Sequence, residues 1–162
     1  MAHDIVALFC DVMDDIESCG IVTGNIIDIK VNNRLSRALG RCCRKSNGFL
    51  IEMNRDWIAD NVDEQGVKNT IAHEILHTVE GCFNHSPRWK EQTRKLMAFC
   101  PEYSIDTTTS AWEYGYKPSM RYKYKYTCSG CGQTVYKKRR DETLLKWSIC
   151  GLCKCRFTEE VL

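Results

Sequence analysis

The sequence predicts an α+β protein in two parts, a small mixed domain built round one central helix and a C-terminal zinc ribbon. Three observations carry this. Helix-periodic segments and short β-branched runs share the first hundred or so residues. One helical segment contains His73-Glu74-Ile75-Leu76-His77, an H-E-x-x-H motif. Two C-x2-C pairs, Cys128/Cys131 and Cys150/Cys153, stand 18 residues apart near the end.

The elements follow in order. Ile5, Leu8, Phe9, Val12, Met13 and Ile16 recur at helical spacing, and Gly20 is a natural stop. Ile26–Val31 and Gly48–Met53 read as strands, the second after the turn signal Ser46-Asn47-Gly48. Between them, Arg34, Arg37, Arg41, Arg44 and Lys45 mark a basic strand or loop, or a surface for nucleic acid. Asn61-x-x-Glu64 is a capping box opening a second helix with apolar residues on more than one side. That helix is therefore expected to be buried, and to end near Gly81. Ser86 and Pro87 start a third helix that stops before Pro101. The predicted domains are 1–103, a linker over 104–120 that includes Thr107-Thr108-Thr109-Ser110, and the ribbon with its basic, Tyr-rich lead-in over 121–162.

Composition narrows the class. Apolar residues are 43% and charged residues 27% of the 162, as in soluble globular proteins rather than disordered ones. No apolar run reaches the roughly 18 residues of a membrane span. The start, Met1-Ala2-His3-Asp4, has no basic leader, which predicts a cytoplasmic chain. Eleven cysteines, an odd number, suit thiols and metal ligands in a reducing compartment better than a disulfide framework. Cysteines outside the terminal five are expected to be small buried hydrophobes. The net charge of +2 is unevenly spread. Residues 1–100 hold twelve Lys and Arg against fourteen Asp and Glu; the remainder hold eleven against seven. The C-terminal part is the one suited to a polyanion.

The H-E-x-x-H spacing places His73 and His77 one turn apart on one helix face, where both imidazoles reach a single metal ion. Glu74, beside the first ligand, is left to act as general base on a water at the metal. The four histidines are His3, His73, His77 and His85. His85 follows Gly81, where the chain can turn back, and is the natural third ligand; three imidazoles and an open position make a catalytic zinc site. Glu80 is its rival, but three residues after His77 it would lie along a similar face. His3 reads as a surface residue. Tyr103 and Arg88 are candidates to assist zinc in stabilising an oxyanion. The spacing to His85 excludes a standard metzincin, H-E-x-x-H-x-x-G-x-x-H.

Cys128, Cys131, Cys150 and Cys153 have the spacing of a structural zinc site closed by two thiolate knuckles, with Cys155 able to replace Cys153. Gly132 and Gly151 suit the knuckle turns. From Lys117 to Arg140 there are eight Lys and Arg and no acid, and six of the seven tyrosines lie between Tyr114 and Tyr136. Alternation in Arg121–Tyr126 would separate rings from cations on a strand. Lys123, Lys125, Lys137, Lys138, Arg139 and Arg140 are therefore candidate nucleic-acid contacts, against a plain reading of packed rings and solvated cations.

Together these residues resemble the SprT-like family of zinc metalloproteases, to which eukaryotic Spartan belongs. The resemblance is carried by Asn33-Arg34-Leu35-Ser36-Arg37 with Gly40-Arg41-Cys42, by Ile51-Glu52-Met53-Asn54, by the motif at 73–77, by Asn84-His85-Ser86-Pro87-Arg88-Trp89, and by the terminal ribbon. It extends over about 5–157, and the short His77–His85 interval is similar to bacterial and phage members. The resemblance implies a zincin fold with a small sheet on the active-site helix, His73, His77 and His85 as zinc ligands and Glu74 as catalytic base. It also implies protein substrates bound or crosslinked to DNA. A small exposed zincin cleft would be hazardous if always active, so DNA, single-stranded DNA above all, is the expected stimulating partner. The expectation is a zinc-dependent endopeptidase with one catalytic and one structural zinc. The alternative is a DNA-binding adapter with two structural zincs and no turnover.

Overall fold

The computed structural model describes residues 2–35, 38–59, 61–108, 111–115 and 122–162. Ser36 and Arg37 of the basic stretch, Thr109 and Ser110, and 116–121 with Arg121 of the lead-in lie outside the described residues. The chain divides into two compact units, Met1–Lys117 and Pro118–Leu162.

The first unit is α+β. Helix α1 spans Ile5–Ser18, capped by Asp4, whose carboxylate accepts from the Val6 and Ala7 amides. Its Ile5, Leu8, Val12 and Ile16 are buried. Three strands follow, β1 (Ile26–Asn32), β2 (Gly40–Lys45) and β3 (Gly48–Asn54). They form one sheet in the order β1-β3-β2, with β1 parallel and β2 antiparallel to β3. On the central strand Ile51 and Met53 face the helices and are fully buried, while Glu52 points to the opposite face. There it accepts from Arg41 and from Asn32 Nδ2 at 3.1 Å, with Lys30 Nζ 3.8 Å away. Arg41, Arg44 and Lys45 of the basic stretch thus lie in strand β2, and two of them are engaged locally: Arg41 pairs with Glu52, and Arg44 lies over the rings of Phe49 and Phe83.

Helix α2 (Glu64–Leu76) is the central one, with Val67, Ile71, Ala72, Ile75 and Leu76 fully buried. Its cap is Asp63 rather than Asn61; the Asp63 carboxylate accepts from the Gln65 amide at 2.8 Å. It also ends five residues before Gly81. Past Leu76 the amides of Thr78 and Val79 bond to carbonyls three residues back, and Thr78 Oγ1 takes the Ile75 carbonyl at 2.7 Å, tightening and ending the last turn. Gly81 instead supplies a left-handed residue (φ +76°) in the turn that follows. Helix α3 (Pro87–Phe99) starts on Ser86, whose hydroxyl accepts from the Trp89 amide.

The stretch expected to be a linker is part of this unit up to Gly115. Ile105 is buried in the core, and a 3₁₀ turn at Ala111–Tyr114 brings Tyr114 edge-on to Trp57. Apolar Ile105 and Tyr114 outweigh the polar Thr run that suggested a linker.

The second unit is a three-stranded antiparallel sheet, β5-β4-β6, of β4 (Tyr124–Cys128), β5 (Thr134–Lys137) and β6 (Phe157–Val161), with a short helix α4 (Glu142–Lys146). Tyr126 is fully buried and its hydroxyl donates to Glu159 at 2.9 Å. Among the described residues, no helix is long and apolar enough to cross a membrane.

Candidate active site and metal centres

Helix α2 presents His73 and Glu74 in its last turn and ends on His77 as its C-cap. The loop round Gly81 returns the chain, so that His85 meets them just before α3. The three rings stand 4.9 Å apart, centroid to centroid. Nε2 of His73 lies 3.2 Å from Nε2 of His77 and 3.0 Å from Nε2 of His85. The other ring nitrogens point away. Nδ1 of His73 meets the Asp106 carbonyl at 3.0 Å, and Nδ1 of His77 meets the Cys82 carbonyl at 2.9 Å. A carbonyl only accepts, so both Nδ1 atoms carry the proton and both Nε2 lone pairs converge. Burial, then the neighbouring imidazoles, lowers the His73 pKa to about 4; burial also lowers that of His77. Three imidazole nitrogens at a spacing near the edge of a zinc–nitrogen tetrahedron, about 3.3 Å for bonds of about 2.0 Å, are a fitting donor set for zinc. The ring of Trp89, from α3, contacts all three imidazoles at 4.6–5.4 Å and walls the cluster from behind.

Glu74 is buried at the back of a cleft of about 530 Å³ that His73, His77, His85, Leu39, Gly40, Cys42, Phe83 and Thr107 also line. Burial raises its pKa to about 7, opposed in part by the nearby backbone N–H of Cys42. Gly40 makes that approach possible: a Cβ there would sit 2.8 Å from Glu74 Cγ.

The remaining first-unit candidates fall elsewhere. Glu80 is exposed, past the helix end, and outside the histidine cluster. Tyr103 is in the core, its hydroxyl donating to Asp15 at 2.6 Å, and Arg88 is exposed on α3 outside the cleft. Neither stands where an oxyanion would form. His3 is half-buried rather than superficial, with Nε2 2.8 Å from the Val62 carbonyl.

In the second unit the sulfurs of Cys128, Cys131, Cys150 and Cys153 lie within 4.8 Å of one another. The Cys128–Cys153 and Cys131–Cys150 separations are 3.3 and 3.6 Å. A zinc–thiolate tetrahedron with bonds of about 2.3 Å has edges of about 3.8 Å, so this donor set also fits. Cys155 stands beside it, against Gly130, its thiol directed to the Cys153 carbonyl at 3.6 Å. Backbone N–H groups of Cys153 and Leu152 hold the Cys150 thiol below its usual pKa, and that of Cys155 does the same for Cys153. All eleven cysteines are unbridged. Of the six outside this cluster, Cys19, Cys82 and Cys100 are buried as expected, Cys42 and Cys43 only half-buried, and Cys10 is exposed. Cys10 follows Phe9 in α1 and falls on the face turned from the core.

The six candidate nucleic-acid cations divide. Lys125 pairs with Glu160 at 3.0 Å, Lys137 with Asp141 at 3.3 Å and Arg140 with Glu159 at 3.0 Å. Lys123, Lys138 and Arg139 are exposed and pair with no acid among the described residues. Sequence reasoning passed over Trp147, which is 80% exposed and follows Lys146, whose carbonyl accepts from the Arg156 guanidinium. An indole that open is uncommon, and a lone Trp in a polar stretch carries no periodic signal.

A family model described as the SprT-like family matches residues 15–109. The chain belongs to the SprT-like family. The match runs from late α1 to the segment after α3, and so contains the histidine cluster, Glu74 and the sheet that covers them. Membership is consistent with a zinc-metalloprotease-type domain.

Proposed function

We propose that this SprT-like chain is a zinc-dependent endopeptidase of the H-E-x-x-H type. The observation that carries the reading is the convergence of the His73, His77 and His85 Nε2 atoms beside a buried carboxylate in an open cleft. The first unit would hold one zinc on those three nitrogens, and the cysteine cluster a second, structural one. At the first centre zinc supplies a Lewis acid that polarises a carbonyl and lowers the pKa of water towards about 7. Glu74 takes the proton from the attacking water and returns it to the leaving amine. The His73 and His77 rings are held by their carbonyl partners, and Trp89 keeps water from the back of the cluster.

Strand β2 is a sheet edge, pairing among the described residues only with β3, and its Gly40–Cys42 stretch lines the cleft. An extended substrate laid along that edge finds backbone partners beside Glu74. The exposed Lys123, Lys138 and Arg139, with Trp147, suit a single-stranded nucleic acid, whose phosphates meet cations and whose bases stack. The substrate class proposed is therefore protein bound or crosslinked to DNA.

The test is cleavage of a DNA-binding protein by the zinc-loaded chain, with and without single-stranded DNA, wild type against Glu74→Gln. Cutting by wild type alone supports the peptidase, and stimulation by DNA supports the substrate class. Equal rates with and without DNA across a salt series would remove the DNA dependence. If neither cuts while both hold two zincs and bind DNA, the adapter reading replaces the peptidase, favoured by the same exposed cations and indole.

A further inference from the structure

The segment after α3 is anchored across α2 by one buried side chain, Asn69, which lies one turn before His73 on the same helix. Asn69 Oδ1 accepts from the Ser104 backbone N–H at 3.1 Å and from Gln65 Nε2 at 3.2 Å. Its Nδ2 donates to the Tyr114 hydroxyl at 3.0 Å. Both polar ends of a fully buried amide are thus spent on holding the segment at two points ten residues apart. Tyr114 in turn lies on Gly66, where a Cβ would come within 2.5 Å of the ring, and its carbonyl accepts from the Asp63 amide at 2.9 Å. Two residues after the Ser104 anchor comes the Asp106 carbonyl that accepts from His73 Nδ1.

We infer that Asn69 is a positioning residue for the histidine centre. Two residues span about 7 Å at most, so the height at which Ser104 is pinned over α2 sets where the Asp106 carbonyl stands. That carbonyl fixes which nitrogen of His73 carries the proton and how the ring is turned. Asn69 acts through the segment, its side chain bonding to Gln65, Ser104 and Tyr114 and to none of the three histidines. The inference rests on reading His73, His77 and His85 as a metal centre, and it is independent of whether that centre hydrolyses peptides.

The test uses the full chain with both centres zinc-loaded. Zinc release to a chelator resolves the histidine centre from the ribbon, and the His73 Nδ1–H resonance reports its hydrogen bond. Asn69→Leu is expected to loosen zinc at the histidine centre by about 10- to 100-fold, leave ribbon zinc unchanged, and lose the His73 Nδ1–H signal to exchange. Asn69→Asp keeps the acceptor for Ser104 and is expected to restore zinc retention. A folded Asn69→Leu chain with wild-type zinc retention and an intact His73 signal overturns the inference.

A second measurement needs no variant. Coupling between docking and metal binding is reciprocal. Zinc at the histidine centre must therefore slow hydrogen exchange at the Ser104 amide, and an unchanged rate overturns the inference. A wild-type chain that holds only ribbon zinc overturns this inference and the metal-centre reading together. One that holds both zincs, couples the histidine-centre zinc to Ser104 and cuts nothing sinks only the peptidase.

Discussion

The backbone N–H of Cys42, on edge strand β2, stands near enough to the buried carboxylate of Glu74 on α2 to favour its charged form. Strand β2 thus closes on helix α2 at the cleft, Gly40 lying against Glu74. The Cys42 N–H also opposes the burial that raises the Glu74 pKa, so the same contact that places the carboxylate tunes it.

Gly40 is the residue that permits this contact. A Cβ there would lie 2.8 Å from Glu74 Cγ, 2.9 Å from Thr70 Cγ2 and 3.0 Å from Glu74 Oε1. Strand or carboxylate must move to admit it. Gly40→Ala is expected to lower kcat/KM by about 10- to 100-fold through misplacement of Glu74, and stability by about 1–3 kcal/mol through overpacking. Zinc content should stay normal, because no histidine is touched. Peptide cleavage and metal analysis on the same preparation check this; wild-type kcat/KM would show that Glu74 does not depend on the approach of β2.

Cys153 and Cys155 compete in the sequence for the last place in the ribbon. The geometry separates them, with Cys153 Sγ 3.3 Å from Cys128 Sγ and Cys155 turned to the Cys153 carbonyl. Cys153→Ser is expected to lose ribbon zinc and unfold the second unit, since a four-thiolate site broken at one ligand forfeits much of its folding energy. Cys155→Ser is expected to keep the zinc. Zinc stoichiometry of the two variants decides, and the opposite pattern would exchange their roles.

What could be read from the sequence was whatever local spacing encodes. His73 and His77 are one helical turn apart, and the two C-x2-C pairs announce their knuckles. His85 was reachable because the chain has few histidines and a glycine turn before it. What escaped was set by tertiary contact. Asn61 and Asp63 both look like caps, and only the fold selects Asp63. The helix end at His77 depends on the Thr78 hydroxyl taking a carbonyl, a choice invisible beside the glycine at 81. The polar 104–115 stretch reads as a linker until Ile105 and Tyr114 are seen packed on α2 and its neighbours. Tyr103, a candidate in the sequence only through its phenol, is committed to Asp15 from α1, 88 residues away.

The ribbon's second knuckle holds a strained residue. After Cys131 the chain bonds Gly132 N–H to the Cys128 carbonyl at 3.0 Å with Gly132 at φ +74°. After Cys153 the same turn recurs, with Lys154 N–H on the Cys150 carbonyl at 3.0 Å, but the left-handed residue is Lys154 at φ 61° rather than Gly151. A side chain in that conformation costs about 1 kcal/mol that glycine avoids. Lys154→Gly is expected to stabilise the zinc-loaded ribbon by up to about 1 kcal/mol and slow zinc release, whereas Gly132→Ala should do the reverse. Thermal melts and chelator kinetics measure both; destabilisation by Lys154→Gly would mean that the Lys154 Nζ contact to the Gly151 carbonyl outweighs the backbone strain.

Glu52 gives the first unit an acid-sensitive support. The Arg41 hydrogen bond, followed by that of Asn32 and the nearby Lys30 charge, holds its pKa below the usual carboxylate value despite burial. A group whose pKa is lower folded than unfolded stabilises the fold above its unfolded pKa, about 4.3 for Glu, and the contribution disappears as pH falls through the folded value. Wild type should therefore exceed Glu52→Gln in stability at pH 7. The gap should narrow as pH falls below about 4.3 and close below the folded pKa, where wild-type Glu52 is neutral too. Taking the difference between the two proteins cancels the acid loss of zinc that both share. Denaturant melts from pH 7 to pH 3 measure it, and a gap that stays constant over that range would mean that Glu52 supports the sheet by shape and hydrogen bonding rather than by charge.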